Sequence, residues 1–174
     1  VRRQDVDMAH ERFGDDLAVV CYVNSTAEIK AWSDVCVTSS NAVKVVRELP
    51  QEHILFIPDK NLGRYIARQV PEKHFILNDG FCPVHQGLDL GEIHLLRRDH
   101  PFAELLAHPE CDEAALAEAD FIGSTKQIIE RIVASARTEF IVLTEAGVQA
   151  QIERLTAGQG KRVFYTKTPL LCPD

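Results

Sequence analysis

The chain has 174 residues, of which 45% are hydrophobic, and its 19 basic and 26 acidic residues give a formal net charge of −7. This composition is typical of a soluble globular protein of one domain or two small ones, and it excludes disordered, collagen-like and coiled-coil chains. The acidic balance and the scattered basic residues argue against a DNA or RNA partner. No apolar run approaches the roughly 18–20 residues that a membrane-spanning helix needs.

The start of the sequence and its cysteines bear on the origin of the chain. Val1 is not preceded by an initiator methionine and no signal-peptide core follows it, so we expect a segment of a longer protein. Five cysteines are an odd number, which favours a reducing compartment, and no two of them have CxxC spacing. Any metal site would therefore draw its ligands from distant parts of the chain.

The predicted elements alternate between helix and strand. The first half predicts a helix ending near Phe13, a strand at 17–22, a helix at 25–32, a second strand and a third helix, a strand at 54–57, a helix at 60–69 and a strand at 74–77. The second half predicts a helix ending near His100, a strand at 104–107, a helix at 111–118, a second strand and a third helix, a strand at 140–143, a helix at 147–156 and a strand at 162–165. The strands are short apolar runs without alternation, as in a parallel sheet covered on both faces.

The two halves repeat one another when the sequence is shifted by 86 positions. Asp34 then meets Asp120, and Ser39 meets Thr125. Phe75 meets Phe164 or Tyr165 when a few residues of loop are added. We therefore predict two pseudo-symmetric three-layer αβα domains with parallel sheets, at residues 1–86 and 87–174.

Polar residues follow the strands at equivalent positions of the two halves. Because ligands of open parallel sheets bind beyond the carboxyl ends of the strands, these residues are candidates for an anion-binding site. His108 and Glu110 are two residues apart on an extended segment, so they could act as proton donor and acceptor. The hydroxyl clusters also resemble helix N-caps, and Asp59 and Glu145 are assigned mainly to capping. The candidates are Tyr22, Asn24, Thr38-Ser39-Ser40, His108, Glu110 and Ser124-Thr125.

The five cysteines differ in their expected roles. Cys21 and Cys36 fall in strands and are expected in the core. Cys111 follows the His-Pro-Glu segment and could approach the site, but it corresponds to Ser25 and is not expected to take a direct part. Cys82 and Cys172 alone occupy equivalent positions, and each precedes a proline in a loop. Their thiolates could reach a shared metal.

The sequence resembles quinolinate synthase, the iron–sulfur enzyme of NAD biosynthesis, over nearly its whole length. The segments that match the family in order and spacing are Tyr22-Val23-Asn24-Ser25-Thr26-Ala27-Glu28, Thr38-Ser39-Ser40-Asn41-Ala42-Val43, Pro58-Asp59-Lys60-Asn61-Leu62-Gly63-Arg64-Tyr65, Gly80-Phe81-Cys82-Pro83-Val84-His85, His108-Pro109-Glu110, Gly123-Ser124-Thr125 and Cys172-Pro173. Such a series is far more specific than any one motif.

The resemblance implies a cytoplasmic enzyme of three pseudo-symmetric α/β domains around a [4Fe–4S] cluster, each domain giving one cysteine. It condenses iminoaspartate with dihydroxyacetone phosphate to quinolinate and is linked functionally to L-aspartate oxidase. By this match Cys82 and Cys172 are cluster ligands, and the catalytic residues are Glu110, His108 and Tyr22. The residues expected to bind substrate are Tyr22, Asn24, Ser39, His108, Glu110 and Thr125.

The resemblance covers only the family's second domain, at 1–86, and a truncated third domain, at 87–174. We therefore expect the first domain to reside elsewhere in the same or another chain, and little or no activity from these residues alone. Two other interpretations stay open. The chain could be a non-catalytic module that binds dicarboxylates or phosphorylated trioses at Ser39 and Thr125, or an inactive remnant that exposes apolar surface.

Overall fold

The computed structural model describes residues 1–167 and 170–172 and divides the chain into two compact units, Val1–Phe81 and Cys82–Asp174. The division falls before Cys82, whereas the sequence repeat places it after residue 86. Cys82 and the residues next to it therefore pack with the second unit.

The first unit alternates helices and parallel strands. Its strands form one sheet in the order β2-β1-β3-β4, and all neighbours are parallel. The elements are α1 Arg3–Phe13, β1 Leu17–Tyr22, α2 Ala27–Ala31, β2 Val35–Val37, α3 Ala42–Glu48, β3 His53–Ile57, α4 Lys60–Gln69 and β4 His74–Leu77.

The second unit repeats this plan after one additional short helix. Its sheet has the order β6-β5-β7-β8 and is again parallel throughout. The elements are α5 Pro83–Gln86, α6 Leu90–Asp99, β5 Glu104–Ala107, α7 Glu113–Ala117, β6 Phe121–Ile122, α8 Thr125–Ala134, β7 Glu139–Leu143, α9 Val148–Thr156 and β8 Arg162–Phe164. The predicted α/β class with parallel sheets is confirmed.

The strand register reproduces the shift of 86 found in the sequence. Ala18 lies opposite Ile54 in the first sheet, as Glu104 lies opposite Phe140 in the second. The last strand departs from the prediction, because Phe75 corresponds in register to Val163 rather than to Phe164 or Tyr165. The loop before β8 contains Gly158 and Gly160, both at positive φ, and takes up the extra length.

Each sheet is covered by helices on both faces. Side chains of β1 alternate between the two faces, so that Val20 packs towards α3 and α4 while Val19 packs towards α1. In the second unit Leu106 packs towards α8 and α9, and Leu105 packs towards α6 and α7. Because both faces are buried, the strands are apolar after their first residue, and this explains the runs without alternation.

One hydrogen-bonded aspartate recurs in the two units. The Asp34 carboxylate accepts the Val19 amide hydrogen at 2.7 Å, and the Asp120 carboxylate accepts that of Leu105 at 2.8 Å. Both carboxylates thereby satisfy an amide of a central strand. In the second unit Arg97 also lies 3.0 Å from Asp120. Partial burial opposes ionisation, but the two hydrogen bonds lower the pKa of Asp120 overall.

No helix within the described part of the chain is long and apolar enough to cross a membrane.

We expect Asp120→Ala to lower the free energy of unfolding by about 1–3 kcal/mol, because the buried Leu105 amide loses its acceptor. Urea denaturation at neutral pH measures this change. Asp99→Ala is the matched control, since Asp99 pairs with Arg98 on the surface and its loss should cost less than about 0.5 kcal/mol. Equal effects of the two substitutions would contradict the role of Asp120.

Candidate functional site

Cys82 stands at the start of the short helix α5 in the second unit. It occupies the N-cap position, Pro83 is the first helical residue, and the Gln86 amide donates to the Cys82 carbonyl at 2.9 Å. Proline is common as the first residue of a helix. Its fixed φ suits the helix, and the amide hydrogen that it lacks would have no partner within the helix at that position. The Cys82 side chain is half-buried and forms no disulfide.

One helical turn places His85 beside Cys82. The His85 Nδ1 atom lies 3.3 Å from the Cys82 Sγ atom and 3.7 Å from the Glu110 Oε2 atom. Only 4% of His85 is exposed, and its Nε2 atom has no hydrogen-bond partner among the residues that the structure describes. Burial, aided by His108 and opposed by Glu110, lowers the pKa of His85 to about 4. The imidazole is therefore neutral at physiological pH.

The His108-Pro109-Glu110 segment directly follows β5. The His108 Nδ1 atom lies 3.2 Å from the Glu110 Oε2 atom and 3.4 Å from the Glu110 amide nitrogen. Unprotonated, Nδ1 accepts the amide hydrogen, and protonated, it donates to the carboxylate. Both side chains are buried, with 2% of His108 and 6% of Glu110 exposed. The predicted imidazole–carboxylate pair is thus in contact and can hold one exchangeable proton.

Stacking of two imidazoles joins these pairs into one group. The rings of His85 and His108 lie with their centroids 4.9 Å apart at an interplanar angle of 27°. We call Cys82, His85, His108 and Glu110 the strand-end cluster. Within it, ligand atoms of Cys82, His85 and Glu110 lie within 4.8 Å of one another, which is close enough for a metal ion.

His85 is the member of the strand-end cluster that the sequence analysis did not assign. Cys82 has no second cysteine at CxxC spacing, so the Cys82-Pro83-Val84-His85 segment contains no cysteine-pair motif. Its Cys-x-x-His spacing puts a thiol and an imidazole on the same side of one helical turn. That spacing could have identified His85 as a potential ligand.

The two units differ in how their hydroxyl residues relate to the helices that follow β2 and β6. Ser124 caps α8 by accepting the Gln127 amide hydrogen, and Thr125 is the first helical residue, half-buried. In the first unit the N-cap of α3 is Asn41 instead of a hydroxyl residue. The Asn41 side chain makes no capping hydrogen bond to the helix, and its Oδ1 atom instead accepts the Thr38 amide and hydroxyl hydrogens, so no hydroxyl residue occupies the N-cap position of α3. Ser39 is half-buried in the turn before α3.

Other expected caps and binding residues also have defined positions. The Asp59 carboxylate accepts the Leu62 amide hydrogen at 2.7 Å and caps α4 as predicted. Tyr22 ends β1 and is buried, while Asn24 is exposed and its Nδ2 atom donates to the Tyr22 hydroxyl at 3.2 Å. The first unit therefore brings Tyr22 and Asn24 together, and the second brings His108 and Glu110 together.

The remaining cysteines differ in how far they are buried. Cys21 is buried as predicted, but the expected burial of Cys36 is wrong, because Cys36 is exposed in the middle of the edge strand β2. Cys111 is buried, its thiol donates to the Leu143 carbonyl at 3.6 Å, and burial raises its pKa. Cys172 is exposed and does not belong to the group of ligand atoms around Cys82. Pro173, which follows it, lies outside the described residues.

Comparison with known proteins gives the family. Residues 1–174 match the family model described as quinolinate synthetase A protein. The chain belongs to the quinolinate synthase family. The quinolinate synthases of Fusobacterium nucleatum subsp. nucleatum and Caldicellulosiruptor saccharolyticus are 49% identical over 158 residues and 42% identical over 174 residues.

The alignments include nearly all of this chain but only about half of each relative. The two alignments include 91% and 100% of this chain but 52% and 56% of the relatives. The chain thus spans about half the length of the curated relatives it matches. Family membership, expected from the residues, is confirmed.

We expect the cysteines of the second unit to differ in reactivity. Alkylation of the native protein should label Cys172 rapidly and leave Cys111 unlabelled, since reactivity requires an accessible thiolate and burial raises the pKa of Cys111. Peptide mass spectrometry measures both. Urea should expose Cys111 to the reagent, whereas equal labelling of the two thiols in the native protein would contradict the burial of Cys111.

Proposed function

We propose that this chain forms the second and third domains of a quinolinate synthase, which condenses iminoaspartate with dihydroxyacetone phosphate to give quinolinate. The observation that carries the proposal is the strand-end cluster. In it the half-buried Cys82, a cysteine of the family pattern, is linked through His85 to the buried imidazole–carboxylate pair of His108 and Glu110. A thiol ligand and a proton-transfer pair in contact suit an enzyme that combines a metal group with acid–base chemistry.

The chemistry of the donors fits an iron–sulfur cluster in part. Such clusters are held by cysteine thiolates, and both Cys82 and Cys172 are free of disulfides and at least partly accessible. We propose that these two cysteines are cluster ligands and that the third comes from the family's first domain. Cys111 is fully buried and its thiol donates to the Leu143 carbonyl, so we assign it to the core.

When bound through three thiolates, a [4Fe–4S] cluster would supply one iron with an open position as a Lewis acid for a substrate oxygen. The proposed role of this chain is to surround that position with groups that move protons. His85 is neutral, so it adds no positive charge beside the Cys82 thiolate. Its Nδ1 atom lies 3.3 Å from the Cys82 Sγ atom and 3.7 Å from the Glu110 Oε2 atom.

Glu110 is the proposed proton-transfer residue. Its carboxylate is buried against the His108 imidazole, which can deliver or remove a proton at Oε2 over 3.2 Å. His108 in turn is fixed by the segment after β5 and by stacking on His85. The 3.2 Å contact allows a proton to pass between His108 and Glu110, so the pair can act as one acid–base unit towards a bound substrate.

The remaining substrate contacts are proposed from the family pattern and supported by local geometry. Thr125 and Ser39 lie at or just before helices and have half-buried side chains, where hydroxyls can bind a carboxylate or phosphate. Tyr22 presents its hydroxyl to Asn24, which fixes its orientation. L-aspartate oxidase chemistry would supply the iminoaspartate.

The ligand assignment is tested by anaerobic reconstitution with iron and sulfide. We expect Cys82→Ser and Cys172→Ser each to reduce bound iron, because each removes a thiolate. Cys36→Ser is the control, since Cys36 is exposed and lies in the first unit. Unchanged iron content in both ligand variants would overturn the assignment.

The proton-transfer role is tested by Glu110→Gln in the protein as its host makes it. We expect kcat for quinolinate formation to fall by about 10²–10⁴-fold, as for the loss of a general acid or base, without loss of bound iron. Glu130→Gln is the control, because Glu130 forms only a surface pair with Lys126 among the described contacts. If quinolinate formation in the Glu110→Gln protein equals that of the control, Glu110 is not the proton-transfer residue.

A further inference from the structure

We propose that the side-chain hydroxyl of Thr144 binds an anionic oxygen of the substrate, from a carboxylate or a phosphate. Thr144 directly follows β7, the strand that pairs with β5 in the second sheet. The inference rests on the proposed function, because it adds one more substrate contact at the same end of the sheet.

The Thr144 hydroxyl is buried and has no partner. Only 3% of Thr144 is exposed, and its Oγ1 atom forms no hydrogen bond with any residue that the structure describes. A buried hydroxyl without a hydrogen bond destabilises the fold, because it has lost its contacts with water and gained none. A group of this kind in a native structure calls for an explanation, and a bound ligand that accepts its hydrogen bond is one.

The strand register places Thr144 beside the proposed proton-transfer pair. Ala107 lies opposite Leu143 where β5 and β7 pair, and the His108 amide donates to the Leu143 carbonyl at 3.0 Å. The next residues along the two strands are His108 and Thr144. Because neighbouring strands lie about 4.8 Å apart, a substrate held at His108 is within reach of the Thr144 side chain.

Thr144 also shares a face of the sheet with the start of α8. Phe140 and Val142 pack towards α8 and α9, and alternation along the strand assigns Thr144 to the same face. The sheet order β6-β5-β7 puts Thr125, after β6, on one side of the end of β5 and Thr144 on the other. Hydroxyls on both sides of His108 could donate to different oxygens of one substrate.

The surroundings favour a negatively charged partner. Both α8 and α9 begin at this end of the sheet, on the face to which Thr144 is assigned, and the first amides of a helix favour a nearby anion. A hydrogen bond to a charged oxygen is stronger than one between neutral groups. A carboxylate or phosphate oxygen is therefore the partner that suits the unpaired hydroxyl.

Thr144→Val tests the contact, because valine has nearly the same shape as threonine and no hydroxyl. We expect quinolinate binding, measured by calorimetry on the protein as its host makes it, to weaken by about tenfold or more. The urea midpoint of unfolding should not fall, since the lost hydroxyl has no partner in the protein. Thr144→Ser keeps the hydroxyl and should recover most of the affinity.

Thr156→Val is the matched control. Thr156 is also buried, but its hydroxyl donates to the Ile152 carbonyl at 2.8 Å within α9. This variant should leave quinolinate binding unchanged. A fall of the urea midpoint in Thr144→Val would show that the hydroxyl has a partner in the protein, and unchanged quinolinate binding would show that it does not contact the ligand. Either result would overturn the proposal.

A second probe separates this contact from the proposed function. If the unaltered protein does not bind quinolinate, the proposed function fails, and inorganic phosphate replaces quinolinate in the same comparison. Weaker phosphate binding in Thr144→Val than in Thr156→Val would then support Thr144 as an anion contact. Equal phosphate binding by the two variants, or no binding of either anion by the unaltered protein, would overturn it.

Discussion

A parallel sheet buried on both faces is the constraint on which the rest of each unit depends. Helices cover both faces of the two sheets, so nearly every strand side chain is apolar and polar groups collect where the strands end. His108 and Glu110 follow β5 directly, and α5 brings Cys82 and His85 to the same place. The strand-end cluster is therefore a consequence of the architecture as much as of its own residues.

Burial also decides the electrical state of this cluster. Removal of His85 from water disfavours its charged form more than the nearby Glu110 carboxylate favours it, so the imidazole stays neutral. Cys111, next to Glu110 in the chain, is held as a thiol for the same reason, whereas Cys82 is half-buried. The two cysteines thus differ in exposure: Cys82 stays partly accessible, and Cys111 packs in the core.

Much of the fold could be predicted because it depends on local sequence patterns that occur twice in the chain. The shift of 86 positions gave the correct register for three strands of each sheet, since both halves use apolar runs of similar spacing. The errors arose where local pattern is not sufficient. Cys36 lies on an apolar strand but is exposed at the sheet edge, and Asn41 replaces the hydroxyl residues as the N-cap of α3.

By itself the sequence determined the family, the order of helices and strands and the pairing of His108 with Glu110, because these depend on residues that are near one another or that recur at a fixed spacing. Only the tertiary structure decided that His85 joins Cys82 to Glu110, and that Cys82 packs with the second unit. That contact links α5 to the segment after β5, with a helix and a strand between them. Its geometry, and the neutral state of His85, follow from how these elements pack and exclude water, and no local pattern of residues contains that information.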